Sequence, residues 1–187
     1  PWAHPEVGRA GTVHLGGSRP EMARAEHAVA RGRHAQHPTV LLSDPAVVDP
    51  GRIGPAGIRP LWTYAHVPAG SERDMTAAVT AEIERFAPGF RDVVVAAHAV
   101  PAARMAVDNA NYVGGDIAGG AITLRRMLVG PRWQVDPYAT GVEGAYLCSS
   151  SAPPGPGVHG MGGWHVARRV LRDRFGIAVP PDLRPGR

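Results

Sequence analysis

Apolar residues recur at helical spacing in two stretches of the first half of the chain. Met75, Val79, Ile83 and Phe86 form one stripe after Ser71, and Pro88 with Gly89 ends it. Met22, Ala25 and Val29 lie on one side of a shorter helix expected from about Pro20 to Ala30, with Ser18 and Glu21 at capping-box spacing before it. Between and around these helices run β-prone segments: Thr12 to Leu15, Thr39 to Leu42, Leu61 to Val67, and Val93 to Val100, the last long enough to be a central strand. Asp44 to Pro60 is rich in Pro and Gly and reads as a loop over a sheet. Near Asp108 to Asn111 a short helix gives way to polar, glycine-rich sequence. The pattern predicts an α/β chain of mixed α+β type, with a sheet-based domain over 1–108, a second domain over 109–176 and a loose tail over 177–187.

The second domain holds the most specific pattern. Ala145 to Ser149 is a short apolar run without helical period and reads as a buried strand; Val158 to Phe175 places Met161, Trp164, Val166, Val170 and Leu171 close to one helical stripe. Pro153, Pro154, Gly155, Pro156 and Gly157 lie between them. Glycines at the head of a helix let a ligand approach the backbone, and the unpaired amides there favour a phosphate or another electron-rich group. Gly155, Gly157 and Gly160 satisfy G-x-G-x-x-G, and Asp182 follows at roughly the 20-residue distance at which an acid meets a ribose. The literal dinucleotide fingerprint nevertheless fails on context. It needs a tight turn directly off the strand, whereas Ser150 to Pro154 intervene, and the rest of a βαβαβ half does not follow. A purely structural Gly-Pro loop is the bland alternative.

The string GAYLCSSSAPPGPGVHGMGGWHVAR resembles the carboxy-terminal flavin-contacting motif of the phytoene desaturase-like FAD-dependent oxidoreductases, a group that includes carotenoid desaturases and ketolases. NYVGGDIAGGAITLRRMLVGP and WQVDPYATGVEG resemble the segments before it, and a more diffuse likeness runs back through GTVHLGG. The resemblance implies an FAD domain assembled from both ends of a polypeptide, with an amino-terminal βαβ unit holding the ADP half and a carboxy-terminal strand, loop and helix closing over the ribityl chain and isoalloxazine. It implies that Ser149, Ser150 and Ser151 lie near the ribityl and pyrophosphate region. Gly157, Val158, His159, Gly160, Met161 and Gly162 would lead into the helix aimed at the ring, with Tyr112, Gly114, Gly115 and Asp116 lining the neighbouring wall. Serines stand here where monoamine oxidase-type relatives place an acid, so ribityl contacts would come from hydroxyls and backbone. The sheet-based domain would be part of a substrate domain taking an apolar, isoprenoid- or carotenoid-like molecule, with hydride transfer to the flavin and no obligate side-chain acid or base. His159 and Asp116 each carry a bland alternative, a capping or second-layer role for the histidine and a loop-holding bond to nearby amides for the aspartate.

In roughly the first hundred residues no strand runs into a glycine fingerprint. The chain therefore reads as a carboxy-terminal portion whose amino-terminal FAD-binding segment is missing, expected to bind FAD poorly and to be inactive alone. A non-catalytic lipid-binding module and one subunit of a split flavoprotein stay open beside it.

Composition changes this picture little. The 187 residues are 44% hydrophobic, enough for a core, and carry a formal charge of +4. All 20 basic residues are arginine. Only Arg168, Arg169, Arg172 and Arg174 cluster, as on a solvated helix face, and without denser charge interleaved with aromatics no nucleic-acid partner is expected. The nine histidines show neither H-x-x-x-H nor HExxH spacing, and no G-x-S-x-G elbow occurs, so neither a metal site nor an α/β-hydrolase is expected. Cys148 is the only cysteine and, within an apolar run, reads as an inert core residue. The sequence contains no twenty-residue apolar span and nothing resembling a signal peptide, which makes a cytoplasmic location the default, with peripheral membrane contact left open by lipophilic substrates.

Overall fold

The computed structural model describes residues 1–120 and 136–182. The second half of NYVGGDIAGGAITLRRMLVGP, the opening of WQVDPYATGVEG and the end of the expected tail lie outside the described residues. The chain divides into two compact units, Pro1–Gly115 and Asp116–Arg187. It is of mixed α+β class.

The first unit is built on a three-stranded antiparallel sheet, β1 (Thr12–Leu15), β2 (Val40–Ser43) and β3 (Trp62–Ala65), in that spatial order. Leu15 faces Val40 and Val13 faces Leu42 across the first pair; Val40 faces Ala65 across the second. Alternation puts these residues on one face, where Leu15, Val40 and Leu42 form a core with Ile83 and Ala87, flanked by Val79, Phe86 and Phe90. Val79 and Ile83 belong to helix α2 (Thr76–Glu84), so the apolar stripe read from the sequence is the surface that covers the sheet. α2 stops where Glu84 accepts hydrogen bonds from the Gly89 and Arg91 amides, at 2.7 and 2.8 Å, and Gly89 turns the chain at φ +82°.

Helix α1 (Arg19–Ala30) opens with the expected capping arrangement, the Ser18 amide donating to Glu21 Oε2 at 2.8 Å. Arg85 links the helices, donating to Glu21 at 2.8 Å and to the fully buried Glu82 at 2.8 Å. A buried carboxylate left without such a partner would be costly to the fold. Asp44 to Pro60 is irregular as expected, punctuated by three short 3-10 turns beginning at Pro45, Pro50 and Pro55. The short helix before the polar stretch is α3 (Met105–Asp108).

Two expected strands do not form. Val93 to Val100 lies in neither helix nor strand beyond a 3-10 turn over Arg91–Val93, and all of its residues are exposed. β-propensity describes how a side chain suits a pleated, packed surface, and among the described residues no strand lies alongside this run. Ala145 to Ser149 contributes a single bridge, Tyr146 to Ala139, because no longer partner lies beside it among the described residues. Cys148 is therefore exposed, correcting its reading as a core residue. In the same unit, helix α4 (Met161–Phe175) starts three residues later than the stripe suggested. Gly160, at φ +63°, cannot continue a right-handed helix and sets its first residue.

Candidate functional site

The residues singled out in sequence divide between the two units. Tyr112, Gly114 and Gly115 close the first, where they form a backbone crossing. The Gly70 amide donates to Gly114 O at 2.8 Å, and the Gly115 amide to Tyr112 O at 2.9 Å. Gly114 and Gly115 have φ of +64° and +85°, and a Cβ on Gly115 would lie 2.5 Å from that of Ala102. Glycine is required there by conformation and by space. Asp116 opens the second unit and accepts from the Ala118 amide at 2.8 Å, the loop-holding bond that was its bland alternative.

The serines and the head of α4 meet within the second unit. Ser149 Oγ accepts from the Ser151 amide at 3.2 Å and lies 3.1 Å from Ser151 Oγ, so the triplet is a turn held by its own hydroxyl. A Cβ on Gly162 would sit 3.9 Å from Ser149 O, and one on Gly163 would sit 3.8 Å from Cys148 Sγ. The Ser149 end of the apolar run thus abuts the first turn of the helix even though it forms no strand. On its other side, a Cβ on Gly119 would fall 2.6 Å from Ser150 Oγ and 3.0 Å from Ser151 Oγ. Only a glycine lets the backbone approach the serines so closely.

His159 caps the helix. Its Nδ1 accepts from the Met161 amide at 3.0 Å, satisfying one of the donors that the first turn leaves without an intrahelical partner. The ring lies over Gly157, where a Cβ would be 2.6 Å from its Cδ2. Gly160, between them, would meet nothing within 4 Å with a Cβ, but its positive φ disfavours any other residue. Val158 and Met161 are exposed, and Gly162 is partly covered.

Two contributors went unremarked in the sequence. Gly119 was hidden in a Gly-Gly pair of a glycine-rich segment, with no signal to separate it from its neighbours. Tyr138 ties the proline loop to α4: its hydroxyl donates to Pro153 O at 3.1 Å and its ring stacks on His165 with centroids 6.1 Å apart. Burial, with the Asp136 carboxylate nearby, raises its phenol above the ordinary value. The arginines of α4 are tied locally. Arg169 pairs with Asp136 at 2.9 Å and with Asp173, Arg172 pairs with Asp173 at 2.9 Å, Arg174 pairs with Glu143 at 2.9 Å, and Arg168 lies over the Trp164 ring at 4.5 Å. Surface hollows lined by Arg24, His27 and Arg33, and by Thr12, Ser43 and Arg52, include none of the candidate residues. Among the described residues no helix is long and apolar enough to cross a membrane.

The chain is similar to two curated proteins. It is 37% identical over 92 residues to pyridine nucleotide-disulfide oxidoreductase domain-containing protein 2 of mouse (Mus musculus), and 36% identical over the same number of residues to its rat (Rattus norvegicus) counterpart. Each match covers 49% of this chain and 16% of the relative, so the chain spans about a sixth of the length of these proteins. No family model matches the chain, and no solved structure matches it. The similarity is thus to proteins named for an oxidoreductase domain in general and does not single out the phytoene desaturase-like branch.

Proposed function

We propose that the chain is the carboxy-terminal, flavin-facing portion of an FAD-dependent oxidoreductase of the phytoene desaturase-like type, acting by hydride transfer on an apolar substrate of the isoprenoid class. The observation that carries this reading is the serine turn Ser149–Ser151 set against the glycine-led start of α4 and backed by Gly119. The similarity to proteins named as oxidoreductases over half the chain supports it independently. The chemistry of the donor set suits the cofactor: three serine hydroxyls lie in a turn whose Ser149 end abuts the start of a 15-residue helix, and no carboxylate competes with a phosphate among the residues assigned to that turn.

In this reading Ser149, Ser150 and Ser151 hold the ribityl and pyrophosphate region, and Gly160 to Gly162 let the helix backbone approach the ring. His159 fixes the start of that helix through Met161 N. FAD, when bound, supplies the hydride chemistry. This chain's residues have to orient the substrate carbon and keep water away, which requires no proton-transferring side chain. The amino-terminal FAD-binding segment, supplied by further sequence of the same polypeptide or by a partner subunit, would hold the ADP half.

The test is flavin occupancy in the intact parent protein, read as the ratio of flavin to protein absorbance. Gly160→Val forces a β-branched residue to a φ of +63° at the helix entry and is expected to strip or weaken FAD, whereas Arg172→Ala on the exposed face of α4 leaves it bound. Equal occupancy in the wild type and the Gly160 variant would remove this loop from the site.

A further inference from the structure

The segment from Val93 to Val100 combines properties that do not ordinarily occur together. Its sequence, VVVAAHAV, is apolar on both alternating faces apart from His98, close to the pattern of a strand covered on both sides, yet every residue is exposed, the valines from 39% at Val94 to 75% at Val95. From Val94 to Val100 no backbone amide or carbonyl has a hydrogen-bond partner among the described residues. Both ends are nevertheless pinned within the first unit. Phe90 packs against the core on one side, and on the other the Ala103 amide donates to Ser71 O at 3.0 Å while Ala102 packs under Gly115. A run of seven residues reaches about 23 Å when extended. It is thus a span of β-prone chain tethered at both ends, with its pairing groups unused.

We infer that Val93–Val100 is a central strand of a larger sheet, whose flanking strands come from the part of the parent oxidoreductase outside these 187 residues. This rests on the functional reading above. The occupant is polypeptide of the same enzyme because the relatives are about six times longer than the matched stretch, which leaves ample chain to supply strands. An apolar run on both faces also calls for cover on both sides, more than one added edge strand provides. Pairing on both edges satisfies the amides and carbonyls that now face solvent, and cover on both faces removes four valines from water. The tethers lower the entropy lost when the strand docks.

Hydrogen exchange, followed by mass spectrometry in this chain and in the intact parent, tests the inference. Amides 94–100 are expected to exchange near the unstructured rate in the chain alone and at least about 100-fold more slowly in the parent. Val95→Pro is expected to leave the melting temperature of the chain alone unchanged and to lower that of the parent, because only there does it remove a ladder hydrogen bond. Exchange in the parent as fast as in the chain alone would overturn the inference. So would protection that appears in the chain alone as its concentration rises, which would assign the partner strand to a second copy, or a reading frame that adds no sequence to these residues. Should Val95→Pro prevent the parent from folding, the exchange comparison of the unaltered proteins still decides. Flavin content of the same parent sample is read separately: a flavin-free parent with slow exchange defeats the functional reading alone, and a flavin-bound parent with fast exchange defeats this one alone.

Discussion

Glu21 shows how one side chain can serve as cap and clamp together. Hydrogen bonds from the Ser18 amide and hydroxyl and from Arg85 stabilise its charged form and lower its pKa from the ordinary 4.5 to about 2. A depressed folded-state pKa contributes stability that is fully present above pH 4.5 and is lost as the pH falls through about 2. Glu21→Gln should therefore flatten the loss of stability over that acid window, measured by chemical denaturation at several pH values. An acid limb as steep as that of the wild type would show that Glu21 is not part of it. His159 is the other residue whose contacts decide between roles. Its Nδ1 already accepts from Met161 N, which favours a capping part over proton transfer, and a glutamine side chain can accept the same bond. His159→Gln in the intact parent is expected to retain flavin and to slow single-turnover flavin reduction by less than about 100-fold, the lower bound of typical general acid–base contributions. A much larger loss, with a pH–rate inflection near neutrality disappearing, would make the histidine a catalytic base.

At the level of elements, legibility followed whether an element's partner was itself present. α1 and α2 were readable because an amphipathic stripe and a capping box are local signals, and β1 and β2 because turn residues bound them. The expected strand Leu61 to Val67 overruns β3 at both ends, since alternation cannot show where the register with β2 stops. Val93 to Val100 and Ala145 to Ser149 are short, largely apolar runs like the strands that formed, but pairing is a property of two segments, and sequence describes one. The serine turn and glycine helix entry were legible as motifs. The backing by Gly119 and Tyr138 was not, because it depends on how loops close in space. Where stripe and sheet meet, the energetic consequence is definite. Ile83 is 2% exposed between α2 and the sheet, so Ile83→Ala should cost about 2 to 5 kcal/mol by loss of burial and creation of a cavity. Urea denaturation measures this, and a loss below about 1 kcal/mol would mean that α2 does not seal the core as placed.

Across the whole molecule, the fold of each unit bears separately on the proposed flavin reading. The first unit's sheet is antiparallel throughout, so among the described residues nothing supplies the βαβ unit that the family resemblance assigns to the ADP half of FAD. The second unit holds the serine turn, the glycine-led helix and the proline loop that the proposed reading assigns to the ribityl chain and ring. A ligand stabilises a folded protein by RT ln(1 + [L]/Kd), which comes to about 2.7 kcal/mol at a hundredfold excess over Kd. On the proposed reading, in which the ADP contacts lie outside this chain, the chain alone should purify colourless and show no shift in melting temperature with FAD, even where the intact parent is yellow and stabilised. Thermal melts with and without FAD, at concentrations up to a hundred times a micromolar Kd, measure the difference. Stoichiometric flavin on the isolated chain, or a shift of several degrees, would mean that the second unit holds the cofactor without an ADP-binding partner, and the assignment of the site to two halves would have to be abandoned.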